Sequence, residues 1–298
     1  MNIIATLPPP HTIKMKEVVS SIGIDEFRLN TGVVTPYDQY ETLKTITRIV
    51  DEEKLWVDIK GTQLRIDSWA VPEYSELTIN REIEVDLPAT IYFRHEKVSS
   101  QIVEMKGRKL YVDPLPEHFV GAGQAINIHG NNYKVKGNYL TVGDVKYIEA
   151  GKELGINNLM LSFLESKSNI DEVLTINPDA KICGKIETPH GLKLIRNGIK
   201  MDSVMFARDD YFINANFNAI HMFEAQRYII YKHSNTIAAS RILTSLEKEE
   251  QVTLSDLADI YLLRSMGYSN FMLSDGLSKN PMTLRKAVSI LRSFNLKG

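Results

Sequence analysis

Short apolar runs alternate with segments of helical periodicity at the start of the chain. Buried-strand patterns cover residues 2–6, 26–30 and 54–58, and helical patterns cover residues 12–22 and 35–50 between them. In the second helix, Thr35 is predicted as the N-cap and Pro36 as the first helical residue. Alternation of this kind predicts a parallel sheet with right-handed crossovers.

After residue 139 the same alternation returns and continues to the C-terminus. The predicted strands cover residues 159–163, 181–186, 203–207, 236–239 and 270–273. The predicted helices cover residues 141–154, 167–176, 189–197, 218–233, 254–266 and 281–294. The two blocks together supply the eight strand–helix units of a (β/α)8 TIM barrel, in which catalytic groups lie at the carboxyl ends of the strands.

Residues 67–138 have a different pattern. Short β-type segments, among them a predicted strand over 78–85, are separated by turn signals, and no helical pattern of useful length interrupts them. We therefore expect a barrel formed by residues 1–66 and 139–298. An all-β domain formed by residues 67–138 is expected to be inserted after strand 3 and to move relative to the barrel.

Composition narrows the class of protein. Hydrophobic residues make up 43% and charged residues 24% of the 298 residues, a balance that excludes disorder for the bulk of the chain. The formal net charge of −2 gives no basic excess, so no nucleic-acid partner is expected. The single cysteine, Cys183, cannot form an internal disulfide and lies in a predicted core strand, which favours a packing role over a nucleophilic one. Without an apolar run of membrane-spanning length, we expect a cytoplasmic protein with no membrane partner.

Polar residues at the predicted strand ends are the candidates for chemistry. Two acids, Glu187 and Asp210, follow adjacent strands, and carboxylate oxygens are the ligands that Mg²⁺ and Mn²⁺ prefer. Three cations, Arg28, Arg65 and Lys185, come from neighbouring strand ends. Because cationic side chains bind oxyanions, this set predicts a small phosphorylated or 2-oxo acid substrate.

These strand ends, taken in order, resemble the pyruvate kinase family. The matching segments are Asn2-Ile3-Ile4-Ala5-Thr6, Phe27-Arg28-Leu29-Asn30, Asp58-Ile59-Lys60-Gly61 with Arg65, Lys185-Ile186-Glu187, Ala207-Arg208-Asp209-Asp210 and Met272-Leu273-Ser274. The resemblance spans the whole chain and includes a β insertion at the corresponding place. It implies a metal-dependent enzyme acting on phosphoenolpyruvate or a related phospho-enol or 2-oxo acid.

The resemblance also implies residue roles. Glu187 and Asp210 would ligate the divalent metal, and Arg28 and Lys185 would contact the transferring phosphoryl group. Ser240, where the family has threonine, would position the substrate or relay a proton to the enolate. The substrate-binding residues implied by the resemblance are Arg65, Asp209, Arg241 and Ser274.

A monovalent-cation site for K⁺ is implied at Asn30, Asp58 and the carbonyl of Ile59. Gly32 stands where the family supplies a serine hydroxyl to that site.

Other departures fall at the nucleotide and carboxylate ends of the site. Val33 replaces a histidine near the nucleotide, and Asp209 replaces a glycine whose backbone helps to bind the substrate carboxylate. A second carboxylate there repels an anion unless Arg241 offsets it. We therefore expect little or no ATP formation, and the use of a nucleotide is left open.

Two alternatives remain at this point. Residues 186–192 also resemble the glutamate motif of citrate lyase-type aldolases, which would make the chain a metal-dependent lyase. The second alternative is that the chain is a non-catalytic, ligand-binding homologue. Because the family's C-terminal regulatory domain has no counterpart in this sequence, we expect a homodimer formed through barrel helices.

Overall fold

A computed structural model describes residues 1–93, 98–117, 119–129, 133–249 and 251–294. Eight parallel strands close into a barrel. These strands are β1 (Asn2–Thr6), β2 (Glu26–Asn30), β3 (Leu55–Ile59), β11 (Asn158–Leu161), β12 (Lys181–Ile186), β13 (Ser203–Ala207), β14 (Thr236–Ala239) and β15 (Asn270–Leu273). Around the barrel their order is β1-β15-β14-β13-β12-β11-β3-β2. The predicted (β/α)8 barrel is confirmed.

Helices follow the barrel strands. They are α1 (Lys14–Val19), α2 (Gln39–Thr47), α3 (Val142–Glu153), α4 (Lys167–Ile176), α5 (Pro189–Arg196), α6 (Arg208–Asn214), α7 (Ala219–Lys232), α8 (Leu254–Ser265), α9 (Asp275–Ser278) and α10 (Pro281–Ser293). The main core lies between these helices and the strands. None of the helices in the described ranges is long and apolar enough to cross a membrane.

The predicted start of the second helix is wrong. The helix begins at Gln39, and Asp38 is its N-cap, with a side chain that accepts a hydrogen bond of 2.8 Å from the Glu41 backbone N–H. Thr35 instead accepts from the backbone N–H of Tyr37 at 3.3 Å, which forms a short turn before the helix. A carboxylate so close to the helix start caps it well, and this favours Asp38 over the earlier threonine.

The centre of the barrel is filled by side chains that alternate along the strands. They are Ile4, Trp56, Met160, Cys183, Met205, Ile237, Ala239 and Met272. Burial raises the pKa of the Cys183 thiol to about 12. A thiol of this kind stays protonated, which supports the packing role expected for it.

Between β3 and α3 the chain forms antiparallel sheets. Strands β4 (Leu77–Thr78), β8 (Lys109–Asp113), β7 (Val98–Lys106), β6 (Ala89–Phe93) and β9 (Ile126–Ile128) form a five-stranded sheet, and β5 (Ile83–Val85) pairs with β10 (Tyr133–Val135). This is the all-β insertion after strand 3, which we call the β insertion. Its apolar core is separate from that of the barrel.

The single strand predicted over 78–85 is wrong, because the chain turns between β4 and β5 and the two join different sheets. Asn80 lies in this turn and accepts a hydrogen bond of 2.9 Å from the Arg65 backbone N–H. The domain boundary at 66/67 stays a prediction, although Leu64 and Ile66 already pack in the core of the β insertion.

Candidate active site

Charged side chains collect at the carboxyl ends of five barrel strands that are neighbours in space. Strands β2, β3, β11, β12 and β13 follow one another around the barrel, and each contributes a polar residue at or just beyond its end. The five residues are Arg28, Asp58, Ser162, Lys185 and Asp210. Since the carboxyl ends of parallel strands meet at one mouth of the barrel, the topology alone brings these groups together.

Asp58 is the centre of this network and is fully buried. Its Oδ2 accepts hydrogen bonds from Arg28 Nε at 2.8 Å, from Arg28 Nη2 and from Lys60 Nζ at 3.0 Å. Its Oδ1 accepts from Ser162 Oγ at 3.0 Å and from Lys185 Nζ at 3.4 Å. One carboxylate therefore organises three cations at the barrel mouth.

Electrostatics keeps the central groups charged in spite of burial. Burial by itself raises the pKa of Asp58, but Arg28, Lys185 and Lys60 outweigh it and hold that pKa well below its usual range. Burial likewise lowers the pKa of Lys185, and Asp58 and Glu187 more than compensate, so the net direction is upward. Lys185 is thus a permanent cation under ordinary conditions.

Lys60 differs from the other cations. Burial, with the added repulsion of Arg65, Arg28 and Lys185, lowers its pKa to about 7 despite the attraction of Asp58. It is 8% exposed. The network therefore contains one lysine that can lose its proton near neutral pH.

The two predicted metal acids lie close to Lys185. Glu187 follows β12 directly, is 1% exposed, and places Oε1 3.0 Å from Lys185 Nζ. Its Oε2 accepts a 2.5 Å hydrogen bond from the backbone N–H of Phe163, a residue with φ of 49°. Burial raises the pKa of Glu187 to about 7, and the nearby carboxylate of Asp210 adds to the rise. Two acids this close together, one of them fully buried, form an arrangement that suits a divalent cation.

Asp209 and Asp210 follow the sixth barrel strand, as expected, and they lie in a helix. Strand β13 ends at Ala207, and both acids lie in the first turn of α6. Asp209 Oδ1 forms an ion pair with Arg241 Nε. The negative charge expected near the substrate carboxylate is therefore partly offset.

Ser240 and Arg241 lie in a loop with unusual backbone geometry. Both residues have positive φ, 69° and 55°. The carbonyl of Ser240 accepts a 2.7 Å hydrogen bond from Arg208 Nη2, while Asp259 holds the same guanidinium at 2.6 and 2.8 Å. Positive φ in non-glycine residues costs free energy and clusters at functional sites, so this buried arginine holds a strained loop beside the mouth.

Arg65 and Ser274 are placed differently from each other. Arg65 Nη1 donates to the carbonyl of Gly123 in the β insertion at 2.5 Å, and its Nη2 donates to Gln63 Oε1 at 2.7 Å. Ser274 caps α9 and donates to Glu247 Oε1 at 2.5 Å. Arg65 faces the junction between barrel and insertion, whereas Ser274 has a structural partner within the barrel loops.

The three residues expected to hold K⁺ have other partners. Asn30 Oδ1 accepts from the Gly32 N–H at 3.1 Å, and the Ile59 carbonyl accepts from the Ser162 N–H at 2.9 Å. Asp58 already accepts five hydrogen bonds, counting both from Arg28. A carboxylate offers about four lone-pair positions, so Asp58 is already fully engaged, whereas Asn30 Oδ1 and the Ile59 carbonyl each keep a lone pair; the K⁺ site stays a prediction.

Sequence reasoning missed several residues of this site. Ser162, which donates to Asp58 and accepts from Lys185 Nζ at 2.7 Å, follows the apolar strand β11, and the criterion used for the other strand ends would have found it. Asn127 and Tyr133 belong to the β insertion and carried no such signal. Asn127 Nδ2 donates to Asp210 Oδ1 at 3.2 Å. Burial, and then carboxylates that include those of Glu187 and Asp210, raise the pKa of the Tyr133 phenol.

The chain leaves and re-enters the barrel at a tightly bonded junction. Asp144, buried in the first turn of α3, accepts from the backbone N–H groups of Lys60 at 3.0 Å and Gly61 at 3.2 Å. Gly61 has φ of +53°, and a Cβ there would come within 2.3 Å of the Tyr139 ring. Only glycine meets both demands, because its left-handed conformation is unstrained and it needs no side-chain space.

Fold and site define the class: a (β/α)8-barrel protein whose mouth, next to a β insertion, holds buried cationic and carboxylate side chains. The model of the family described as pyruvate kinase, barrel domain, matches residues 75–280. The chain belongs to the pyruvate kinase family.

Curated relatives agree with this assignment at low identity. The chain is 28% identical to a pyruvate kinase of Mycoplasma genitalium over 60% of this chain and 36% of that protein. It is 26% identical to a pyruvate kinase of Mycoplasma pneumoniae over 58% of this chain and 35% of that protein. A pyruvate kinase of Borreliella burgdorferi is 22% identical over 85% of this chain and 58% of that protein. The chain thus spans about a third of the first two relatives, and none of the three supports the lyase alternative.

Proposed function

We propose that the chain is a pyruvate kinase-like, divalent-metal-dependent enzyme that acts on phosphoenolpyruvate or a related phospho-enol or 2-oxo acid. One observation carries the proposal. The buried network of Arg28, Asp58, Lys185 and Glu187, with Asp210 beside it, joins consecutive strand ends at the mouth of the barrel. Burying so many charges costs stability, and such networks persist where chemistry requires them.

The network suits a reaction at an anionic centre. Phosphoryl transfer depends mainly on positioning and on neutralising charge at the phosphoryl oxygens. Lys185 is held by Asp58, Glu187 and Ser162, and this fixes its ammonium before any substrate arrives. Arg28 is held by Asp58 in the same way. Two cations positioned in advance spend no free energy on reorganisation in the transition state.

Glu187 and Asp210 are the residues that would hold the divalent metal. Glu187 Oε1 is buried and lies 3.0 Å from the ammonium of Lys185, and a carboxylate oxygen with one such contact keeps a lone pair for a cation. When bound, Mg²⁺ or Mn²⁺ would polarise a phosphoryl or carbonyl oxygen of the substrate as a Lewis acid. A K⁺ site at Asn30, Asp58 and the carbonyl of Ile59 stays a prediction, which an assay with and without K⁺ tests.

The departures from the family have different consequences for the substrate carboxylate and for the nucleotide. Two like charges about 4 Å apart cost roughly 4 kcal/mol at an effective dielectric near 20. The ion pair of Asp209 with Arg241 reduces that repulsion, which favours binding of an anionic substrate. Val33 and the limited contacts offered to a nucleotide still lead us to expect weak ATP formation.

A lactate dehydrogenase-coupled assay with phosphoenolpyruvate, ADP and Mg²⁺, run with and without K⁺, tests the proposal. Calorimetry with phosphoenolpyruvate and with 2-oxo acids accompanies it. Lys185→Met should lose at least about a hundredfold in substrate affinity or turnover, because a fixed cation at the reacting oxygens is removed. Lys181→Met is the matched control, since Lys181 begins the same strand and is exposed.

Each result has a defined meaning. Ligand binding with no turnover would favour the non-catalytic homologue, whereas equal ligand affinity in parent and Lys185→Met would contradict the site. Turnover in the ordinary range of roughly 1–1,000 per second would show that Asp209 and Val33 are tolerated.

Assembly as a homodimer and a cytoplasmic location also belong to the proposal. Native mass spectrometry of the purified chain tests the dimer, and a monomer or tetramer would contradict it.

A further inference from the structure

The β insertion places one polar side chain against the metal acids. Asn127 lies in β9, is 5% exposed, and donates from Nδ2 to Asp210 Oδ1 at 3.2 Å. Its neighbours in the strand, Ile126 and Ile128, are buried in the core of the insertion. A buried polar residue between two core residues is costly unless its amide is fully used.

The amide of Asn127 is only half used. Its Oδ1 is buried and has no hydrogen-bond partner among the described residues. Glu187 and Asp210 are close enough for each carboxylate to affect the other electrostatically. Asn127 contacts Asp210 directly, so a buried amide oxygen without a partner lies beside one of the two metal acids.

A divalent cation such as Mg²⁺ or Mn²⁺ needs several oxygen ligands. Among the described residues, no group of three or more His, Cys, Asp or Glu side chains could hold a metal ion. A third ligand from the described part of the chain would therefore be a neutral oxygen, and an amide carbonyl is a common one for such cations. The side-chain amide of Asn127 can rotate to exchange its nitrogen for its oxygen without moving the backbone.

We propose that Asn127 is a third protein ligand of the divalent cation and that cation binding fastens the β insertion to the barrel. The inference rests on the proposed function, because it assigns a residue to the same metal site. In the cation-free form, the amide N–H group holds Asp210. In the bound form, Oδ1 faces the cation together with Glu187 and Asp210.

Calorimetric titration with Mn²⁺ alone tests the assignment on the full chain. Asn127→Leu keeps the approximate volume but removes the oxygen, and it should bind Mn²⁺ at least about tenfold more weakly than the parent, the loss typical of a disturbed metal site. Asn127→Asp supplies a charged oxygen and should bind Mn²⁺ at least as tightly as the parent. Gln101→Ala is the control, since Gln101 is exposed in the same sheet and its side-chain amide donates to Thr90 Oγ1 at 2.8 Å.

Thermal unfolding gives a readout that does not depend on activity. Asn127→Asp places a carboxylate beside that of Asp210, which destabilises the cation-free protein. Mn²⁺ should therefore raise the Tm of Asn127→Asp by more than it raises the Tm of the parent. Hydrogen exchange should show that Mn²⁺ protects β9 in the parent and not in Asn127→Leu.

The failures of the two proposals are distinguishable. If the parent binds no Mn²⁺, or if Glu187→Gln binds it as well as the parent, the metal site itself is wrong. If Glu187→Gln loses Mn²⁺ while Asn127→Leu retains the parent's affinity, the metal site stands and the role of Asn127 is overturned. A smaller Mn²⁺-dependent rise in Tm for Asn127→Asp than for the parent would also overturn it.

Discussion

The barrel mouth and the β insertion differ in how far their charged side chains are buried. At the mouth, the side chains of Arg28, Asp58 and Lys185 are at most 10% exposed and pair with one another. In the insertion, ion pairs such as Arg108–Asp67 and Lys136–Glu82 are close to half exposed. Exposed pairs contribute little to stability, and buried pairs cost desolvation. The stability of the β insertion therefore comes mainly from its apolar core. The buried charges at the mouth cost stability, which is expected of groups that are kept for chemistry.

The largest effect is expected from removing the central charge at the mouth. Asp58→Asn leaves three buried cations without their shared carboxylate and should lower the free energy of unfolding by about 3–5 kcal/mol. Asp67→Asn, in the insertion, breaks an exposed pair and should cost at most about 1 kcal/mol. Urea unfolding followed by circular dichroism measures both. Similar losses in the two variants would remove the contrast between the regions.

The next largest effect is expected from a substitution in the apolar core of the β insertion, and it tests whether the two cores unfold separately. Ile91 is fully buried in the insertion, so Ile91→Ala should destabilise that region by about 2–5 kcal/mol. Hydrogen exchange should accelerate in β6–β9 and stay unchanged in the barrel strands. Val103→Ala, at a position that is 50% exposed, is the control. Equal acceleration in the barrel would mean that the two regions unfold as one unit.

A smaller effect is expected at the junction between the regions. Arg81 Nη2 donates to the carbonyls of Gly61 and Asn138, each at 3.0 Å, and of Tyr139, and so ties the outgoing and returning chain together. Arg81→Ala should cost about 1–3 kcal/mol through unsatisfied carbonyls and should increase cleavage of the junction in limited proteolysis. Lys109→Ala removes an exposed pair within the insertion and should leave the cleavage rate unchanged.

The smallest effect near neutral pH comes from Lys60. The folded chain releases this proton near pH 7 and the unfolded chain near pH 10.5. In that interval the unfolded state binds more protons, so this group makes stability rise as pH increases above 7. Lys60→Met should flatten the rise in stability between pH 7 and pH 9, measured by urea unfolding at several pH values. Lys54→Met, at an exposed lysine, should keep the parent's pH profile; an unchanged profile in Lys60→Met would contradict the shift.

Local sequence information was sufficient for much of the barrel. Apolar runs of strand length depend on neighbouring residues, and the structure has the barrel strands close to where they were expected. Arg28, Asp58 and Lys185 could be assigned to one mouth because parallel strands carry their carboxyl ends to the same edge. The helix start at Asp38 was missed because Thr35 and Asp38 are both of a residue type that caps helices, and only the completed hydrogen bonds decide between them.

Tertiary structure alone decided what the insertion contributes to the site. Asn127 and Asp210 are 83 residues apart in the chain, and the amide reaches the carboxylate only because β9 packs against α6. The pairing of Asp209 with Arg241 and the pKa of Lys60 near 7 depend in the same way on burial and on charges brought from distant strands. The sequence by itself determined the barrel, its family and the residue types at its mouth, since these follow from periodicity and from motifs at strand ends. Protonation states and cross-domain contacts came from the tertiary structure, because desolvation and Coulomb interactions depend on distance in space and not on separation along the chain.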